Sequence, residues 1–70
     1  MEKNEEYYTV KECTVKRETD KAILVDSEEL NEGPTWIPIS QIANDSEVKE
    51  MGDDGDLIVS SWFASQKGWL

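Results

Sequence analysis

The sequence predicts a mostly β fold. Five short strands make a strongly bent antiparallel sheet or small SH3-like barrel, with one short C-terminal helix. Three observations lead there. β-branched and aromatic residues come in short runs, as in Tyr7–Val10, Ala22–Val25, Thr35–Ile39 and Leu57–Val59. Gly, Pro, Asp and Ser punctuate the gaps between the runs. The one clear helical signal is a serine-capped segment near the end that stops at Gly68. So few elements are too little for two packed sheets of ordinary size, which leaves one bent sheet.

Met1 to Glu5 is polar and reads as a disordered N-terminus, with residues 6–70 forming the domain. From Tyr7 to Arg17 the apolar parity shifts: Tyr8 and Val10 share one face, whereas Cys13 and Val15 share the other. A regular strand cannot do this, so a bulge or bend is expected near Lys11–Glu12. Glu18-Thr19-Asp20-Lys21 reads as the turn of a hairpin. Ala22-Ile23-Leu24-Val25, a continuous apolar run, reads as a strand buried on both sides. Asp26 to Gly33 is an acidic loop ended by Gly33-Pro34. In the following strand Ile37 and Ile39 are expected to face the core, with Ile42 available to pack inward. Trp36 and Pro38 take the other face, and Pro38 marks an edge strand or a bend because it cannot donate to a ladder. Ser46 to Met51 reads as a weaker strand anchored by Val48 and Met51. Gly52-Asp53-Asp54-Gly55 is a turn, and Leu57-Ile58-Val59 is the last strand. Ser60 or Ser61 then caps a helix over about residues 62–67, with Gly68 as its C′ residue and Trp69 and Leu70 packing back.

A chain of 70 residues buries a modest core. Added stabilisation is expected from its three tryptophans, or from a dimer. One cysteine permits no internal disulfide, and the lack of histidine removes Cys/His zinc sites. No apolar run approaches the ~20 residues that span a bilayer, and no signal-peptide pattern is present, so a cytoplasmic setting and no membrane partner are expected.

The net charge of −9 is localised. Ten acids lie between positions 26 and 56 (Asp26, Glu28, Glu29, Glu32, Asp45, Glu47, Glu50, Asp53, Asp54 and Asp56) against one base, Lys49, and elsewhere acids and bases balance. Such a field repels nucleic acid and attracts basic surfaces. Its bland reading is solubility. The sharper one is a surface that occupies a basic, nucleic-acid-binding groove of another protein.

Other chemistry is poorly supplied. Nucleophilic catalysis lacks its usual base, and adjacent acids such as Glu28–Glu29 and Asp53–Asp54 read as solvated loop residues, so no catalytic residue is assigned and no enzyme is expected. Asp53-Asp54-Gly55-Asp56 lacks the alternating acids and closing Glu of a calcium loop and reads as a turn; neither a metal nor a cofactor is expected. Cys13, between Lys11 and Lys16, reads as a strand thiol rather than a reactive one. Tyr7, Tyr8, Trp36, Trp62, Phe63 and Trp69 have the makings of a stacking platform for single-stranded nucleic acid, but the charge is of the wrong sign and a small core needs such side chains. Trp36 stands apart, because its parity exposes it beside acidic loops as a protein-binding anchor.

The phrase Trp36-Ile37-Pro38-x-Ser40-Gln41-Ile42 resembles a family of small uncharacterised domains encoded by phages, prophages and other mobile elements. The likeness extends to Lys21–Val25, Leu57-x-Val59-x-x-Trp62-x-Ala64 and Lys67-Gly68-x-Leu70, and covers about residues 20–70. Trp69, between the Lys-Gly pair and the final Leu, departs from the pattern. The resemblance implies a genomic context rather than a chemistry: small acidic phage proteins often inhibit host defence, some by imitating the charge of DNA. The expected function is thus a non-enzymatic, acidic protein-binding module, an inhibitor of anti-CRISPR or anti-restriction type. Its expected partner surface comprises Trp36 and the ten acids. The alternatives are an accessory single-stranded nucleic-acid binder of phage recombination or replication, and a structural module that forms a homodimer.

Overall fold

The computed structural model describes residues 6–69, so the N-terminal segment 1–5 and the packing expected of Leu70 lie outside the described residues. Four strands, β1 (Tyr7–Glu18), β2 (Ala22–Asp26), β3 (Thr35–Pro38) and β4 (Asp54–Ser60), form one antiparallel sheet in the order β3-β2-β1-β4. A 3-10 turn, Ile39–Gln41, follows β3, and a short helix, α1 (Ser61–Gln66), follows β4. The sheet does not close into a barrel. The chain beyond the 3-10 turn meets β4 through an isolated bridge, Ile42 to Val59, and scattered bonds such as that from Ala43 N–H to the Ile58 carbonyl, with no continuous ladder among the described residues.

The fifth strand expected at Ser46–Met51 is irregular chain. Its backbone is held by side chains and isolated bonds instead of a ladder. Ser46 Oγ donates to the Val48 carbonyl and accepts from Ile58 N–H, while the Asp53 carboxylate accepts from the N–H groups of Lys49 and Glu50. Val48 is fully buried, as expected. Met51, expected to anchor the same segment, is 62% exposed because the turn at Met51–Gly52 carries it outward.

The bulge in β1 lies where the parity shift places it. Val10 pairs with Leu57 and Cys13 with Gly55, so Lys11 and Glu12 together oppose Asp56. Glu12 takes a left-handed φ of 55°. The extra residue rotates the strand so that Val10, Cys13 and Val15 are all buried on the same side, where a regular strand would have split them. A second irregularity between Val15 and Arg17 shifts the register with β2 by one residue, and pairing resumes at Arg17–Leu24 and Glu18–Ile23 up to the hairpin turn. There Thr19 Oγ1 accepts from the N–H groups of Lys21 and Ala22.

Ile23, Val25, Ile37, Leu57 and Val59 join this core, covered by Leu30, Val48 and the helix residues Phe63 and Ala64. β2 is therefore buried on one side only. Ala22, Leu24 and Asp26, on the other side, are half-buried, which corrects the two-sided burial expected of the run. Ile37 is buried and Trp36 is 47% exposed, as their parity requires. Ile39 is 39% exposed and not in the core, because the 3-10 turn begins at that residue and breaks the alternation.

Both sheet edges are protected. Segment 42–47 covers β4, with Glu47 N–H donating to the Asp56 carbonyl. On β3, Ile39 N–H bonds Lys21, and the register pairs Ile37 with Ile23 and Thr35 with Val25. Bonding pairs recur at every second residue. Trp36 and Pro38 thus turn their backbone groups away from β2, and Pro38 has no N–H; nor has Pro34, just before the strand. Proline at such positions blunts pairing with another chain.

Ser60 caps α1: its Oγ accepts from Phe63 N–H at 3.1 Å and donates to Gln41 Oε1. The helix ends at Gly68, whose φ is +79°, with Gly68 N–H bonding Ser65 and Trp69 N–H bonding Ala64. This ending places the Trp69 ring 5.7 Å from Phe63, edge-on, and 6.1 Å from Tyr8. Of the three tryptophans expected to stabilise the domain, only Trp69 packs on the core; Trp62 projects from α1, 62% exposed.

Candidate acidic site at the first-strand bulge

A bulge leaves backbone groups without ladder partners, and such groups are costly to leave unpaired. Here the acidic loops supply the partners. Lys11 N–H donates to Glu29 Oε1 at 3.0 Å, and Glu12 N–H makes a long contact of 3.5 Å with Asp56 Oδ1. Lys11 Nζ pairs with Asp56 Oδ2 at 3.1 Å, and that bond holds the ammonium pKa above its ordinary value. Ser27 is buried beneath, its Oγ donating to the Lys11 carbonyl at 2.7 Å and accepting from Glu29 N–H. Ser27→Ala removes both bonds and is expected to lower stability by about 1 kcal/mol; a urea titration measures it.

The result is an open concavity of about 380 Å³ lined by Lys11, Glu12, Ser27, Glu28, Glu29 and Asp56. Asp26 and Thr14 line a shallower depression beside it. Thr14 pairs with Asp26 on one side and Asp54 on the other, and its hydroxyl donates to Asp54 Oδ1. Two acidic stretches about thirty residues apart in sequence thus meet across β1. Only one lining cation, Lys11, stands among them, already paired.

Of the ten acids singled out by charge, Asp26, Glu28, Glu29, Asp54 and Asp56 gather here. The other five do not. Glu32 accepts from Thr35 Oγ1 and pairs with Lys67 Nζ at 3.4 Å, near the helix end. Glu47 accepts from Asp56 N–H on the far edge of β4, Asp53 closes the turn at 50–53, and Asp45 and Glu50 are exposed in the loop 43–53. The two groups of acids flank β1, with Asp26 and Asp54 paired to Thr14 from either side. Glu12 was not legible as a site residue because it lies in the charge-balanced part of the sequence. The parity shift that located the bulge was the signal for it.

Glu32 has its carboxyl pKa lowered, first by the Thr35 hydroxyl and then by Lys67. A depressed folded pKa gives stability that is present above the ordinary value of 4.5 and lost as pH falls through the folded one. A urea midpoint that falls between pH 4.5 and lower values, and falls less in Glu32→Gln, is the expected result. Cys13 is 1% exposed, and burial pushes its thiol up to about 11 from 9.0. It is expected to resist alkylation below pH 9.0 until urea unfolds the chain.

Among the described residues no three His, Cys, Asp or Glu side chains are placed to hold a metal ion, and no helix is long and apolar enough to cross a membrane. Comparison with protein-family models, curated proteins and solved structures returns no match.

Proposed function

We propose that the protein is a non-enzymatic acidic binding module that seats a basic surface of another protein over the concavity at the β1 bulge. The observation that carries the reading is the convergence of Glu12, Asp26, Glu28, Glu29 and Asp56 on two adjoining depressions, with Asp54 held beside them by the Thr14 hydroxyl. Backbone N–H groups hold Glu29 and Asp56 and the Thr14 hydroxyl holds Asp54, so part of the field is pre-organised, while among the described residues Asp26 and Glu28 stay free to meet a partner. The target class is a nucleic-acid-binding surface of a host defence complex, CRISPR or restriction machinery, in keeping with the phage-like Trp36–Ile42 phrase. Binding there excludes DNA by occupying its basic groove.

The test is competition. The protein is expected to displace DNA from such a complex, and to do so less well as salt rises through physiological strength. Displacement that is absent, or indifferent to salt, removes the proposal.

A second reading, an accessory binder of single-stranded nucleic acid, draws on the exposure of Trp36 and Trp62. It requires quenching of tryptophan fluorescence by an oligonucleotide at low salt, which the acidic field opposes. The blunted β3 edge and the covered β4 edge count against a homodimer built by strand pairing.

A further inference from the structure

The helix, the loop 42–53 and Leu30 all pack on one side of the sheet. Among the described residues the other side has no such cover. On it Thr14, Arg17, Ala22, Leu24, Asp26, Trp36, Pro38 and Asp54 are exposed or half-buried. Strand register orders them in rows. Asp26, Thr14 and Asp54 lie side by side across β2, β1 and β4. In the next row Leu24 lies beside Trp36, and beyond it Ala22 lies beside Pro38. Rows two residues apart on one face are about 7 Å apart. An aromatic and aliphatic patch therefore abuts an acidic row on an open sheet face.

We infer that this face docks an arginine-rich segment of a protein partner, with an apolar or guanidinium-bearing side chain stacked on Trp36 and Leu24 and neighbouring cations over Asp26 and Asp54. The inference rests on the proposed function and adds where the partner lies and what it carries. Charge complementarity selects the occupant. The row beside the patch bears two carboxylates, and Glu12 and Glu28 line the depression that continues it. Arg17, paired with Leu24, completes the Leu24–Trp36 row on β1, and with Lys16 and Lys21 near the hairpin it bounds the patch with positive charge on the side away from Asp26. A basic segment is consequently drawn toward the Asp26 end. The partner docks on the face and does not add a strand, since Pro38 withholds the N–H that β augmentation needs. A planar guanidinium suits both neighbours, stacking on an indole and pairing with a carboxylate.

The experiment is titration of the isotope-labelled full chain, at physiological salt, with a short arginine-rich peptide carrying a central leucine. Amide shifts are expected at Leu24, Asp26, Trp36 and Asp54. Trp36→Ala and Asp26→Asn are each expected to weaken binding about tenfold. Trp62→Ala, which removes a still more exposed tryptophan from α1, is expected to leave it unchanged. Shifts confined to Glu28, Glu29 and Asp56 overturn this docking face while leaving the acidic concavity as the binding site. No shift with the peptide overturns both. An oligothymidylate that shifts Trp36 more strongly than the peptide overturns the choice of a protein partner.

Discussion

Ile37→Ala is expected to remove about half of the folding stability, whereas Trp36→Ala, one residue away, leaves it almost unchanged. Ile37 is fully buried and joins a core of a dozen side chains. Truncating a buried isoleucine to alanine costs about 2–5 kcal/mol, through lost transfer free energy and the cavity left behind. A domain of this length has a total stability of roughly 4–10 kcal/mol. The loss is thus about half of what the fold has. Trp36 faces water on the opposite side of the same strand, where its removal leaves no cavity. Urea denaturation followed by circular dichroism measures both. Equal losses for the two variants contradict the assignment of faces on β3.

Gly55→Ala carries the second large effect. Gly55 has a φ of +140°, which L side chains rarely adopt, and it pairs with Cys13 where the bulge ends. A methyl group there meets Glu47 Oε1 at 2.6 Å and Glu47 Cβ at 3.0 Å. Glu47 cannot swing away freely, because Oε1 accepts the Asp56 N–H bond. Backbone strain together with the displaced side chain is expected to cost about 2–3 kcal/mol. Gly52→Ala supplies the control: its φ is +94°, but no atom lies within 4 Å of the added Cβ, so strain acts alone and the loss is smaller. Adding Glu47→Ala to Gly55→Ala relieves the contact with the carboxylate, so the double variant is expected to lose less than the sum of the singles. Strict additivity in that cycle removes Glu47 from the explanation.

Local signals were the legible part of this fold. The parity shift across Val10, Cys13 and Val15 locates the bulge, Ser60 caps α1, and Gly68 ends it. The Trp36–Ile37 alternation assigns both residues correctly. Legibility fails where a segment is held by contacts distant in sequence. Val48 is buried as a strand residue would be, yet Ser46 and Asp53 side chains hold its segment, so residues 46–51 looked like a strand. Ile39 continues the alternation on paper, but the 3-10 turn begins there. The acids show the same limit more sharply. Their clustering was visible in the charge count, but the sequence does not say that Glu29 and Asp56 serve the bulge backbone, that Glu47 serves Asp56, or that Glu32 holds Thr35 and Lys67. Asp26 and Glu28 make no such bond to the chain among the described residues, which makes them the informative positions for binding.

The most direct measurement is the ionic-strength dependence of binding to a basic nucleic-acid-binding protein, for the parent chain and for Asp26→Asn/Glu28→Gln. Both substitutions remove charge at the concavity and its margin while sparing the bonds that hold the bulge. The predicted result is an affinity that falls steeply with salt in the parent, and a weaker affinity with a shallower salt dependence in the variant. Identical affinities and identical salt dependences for the two chains contradict the account.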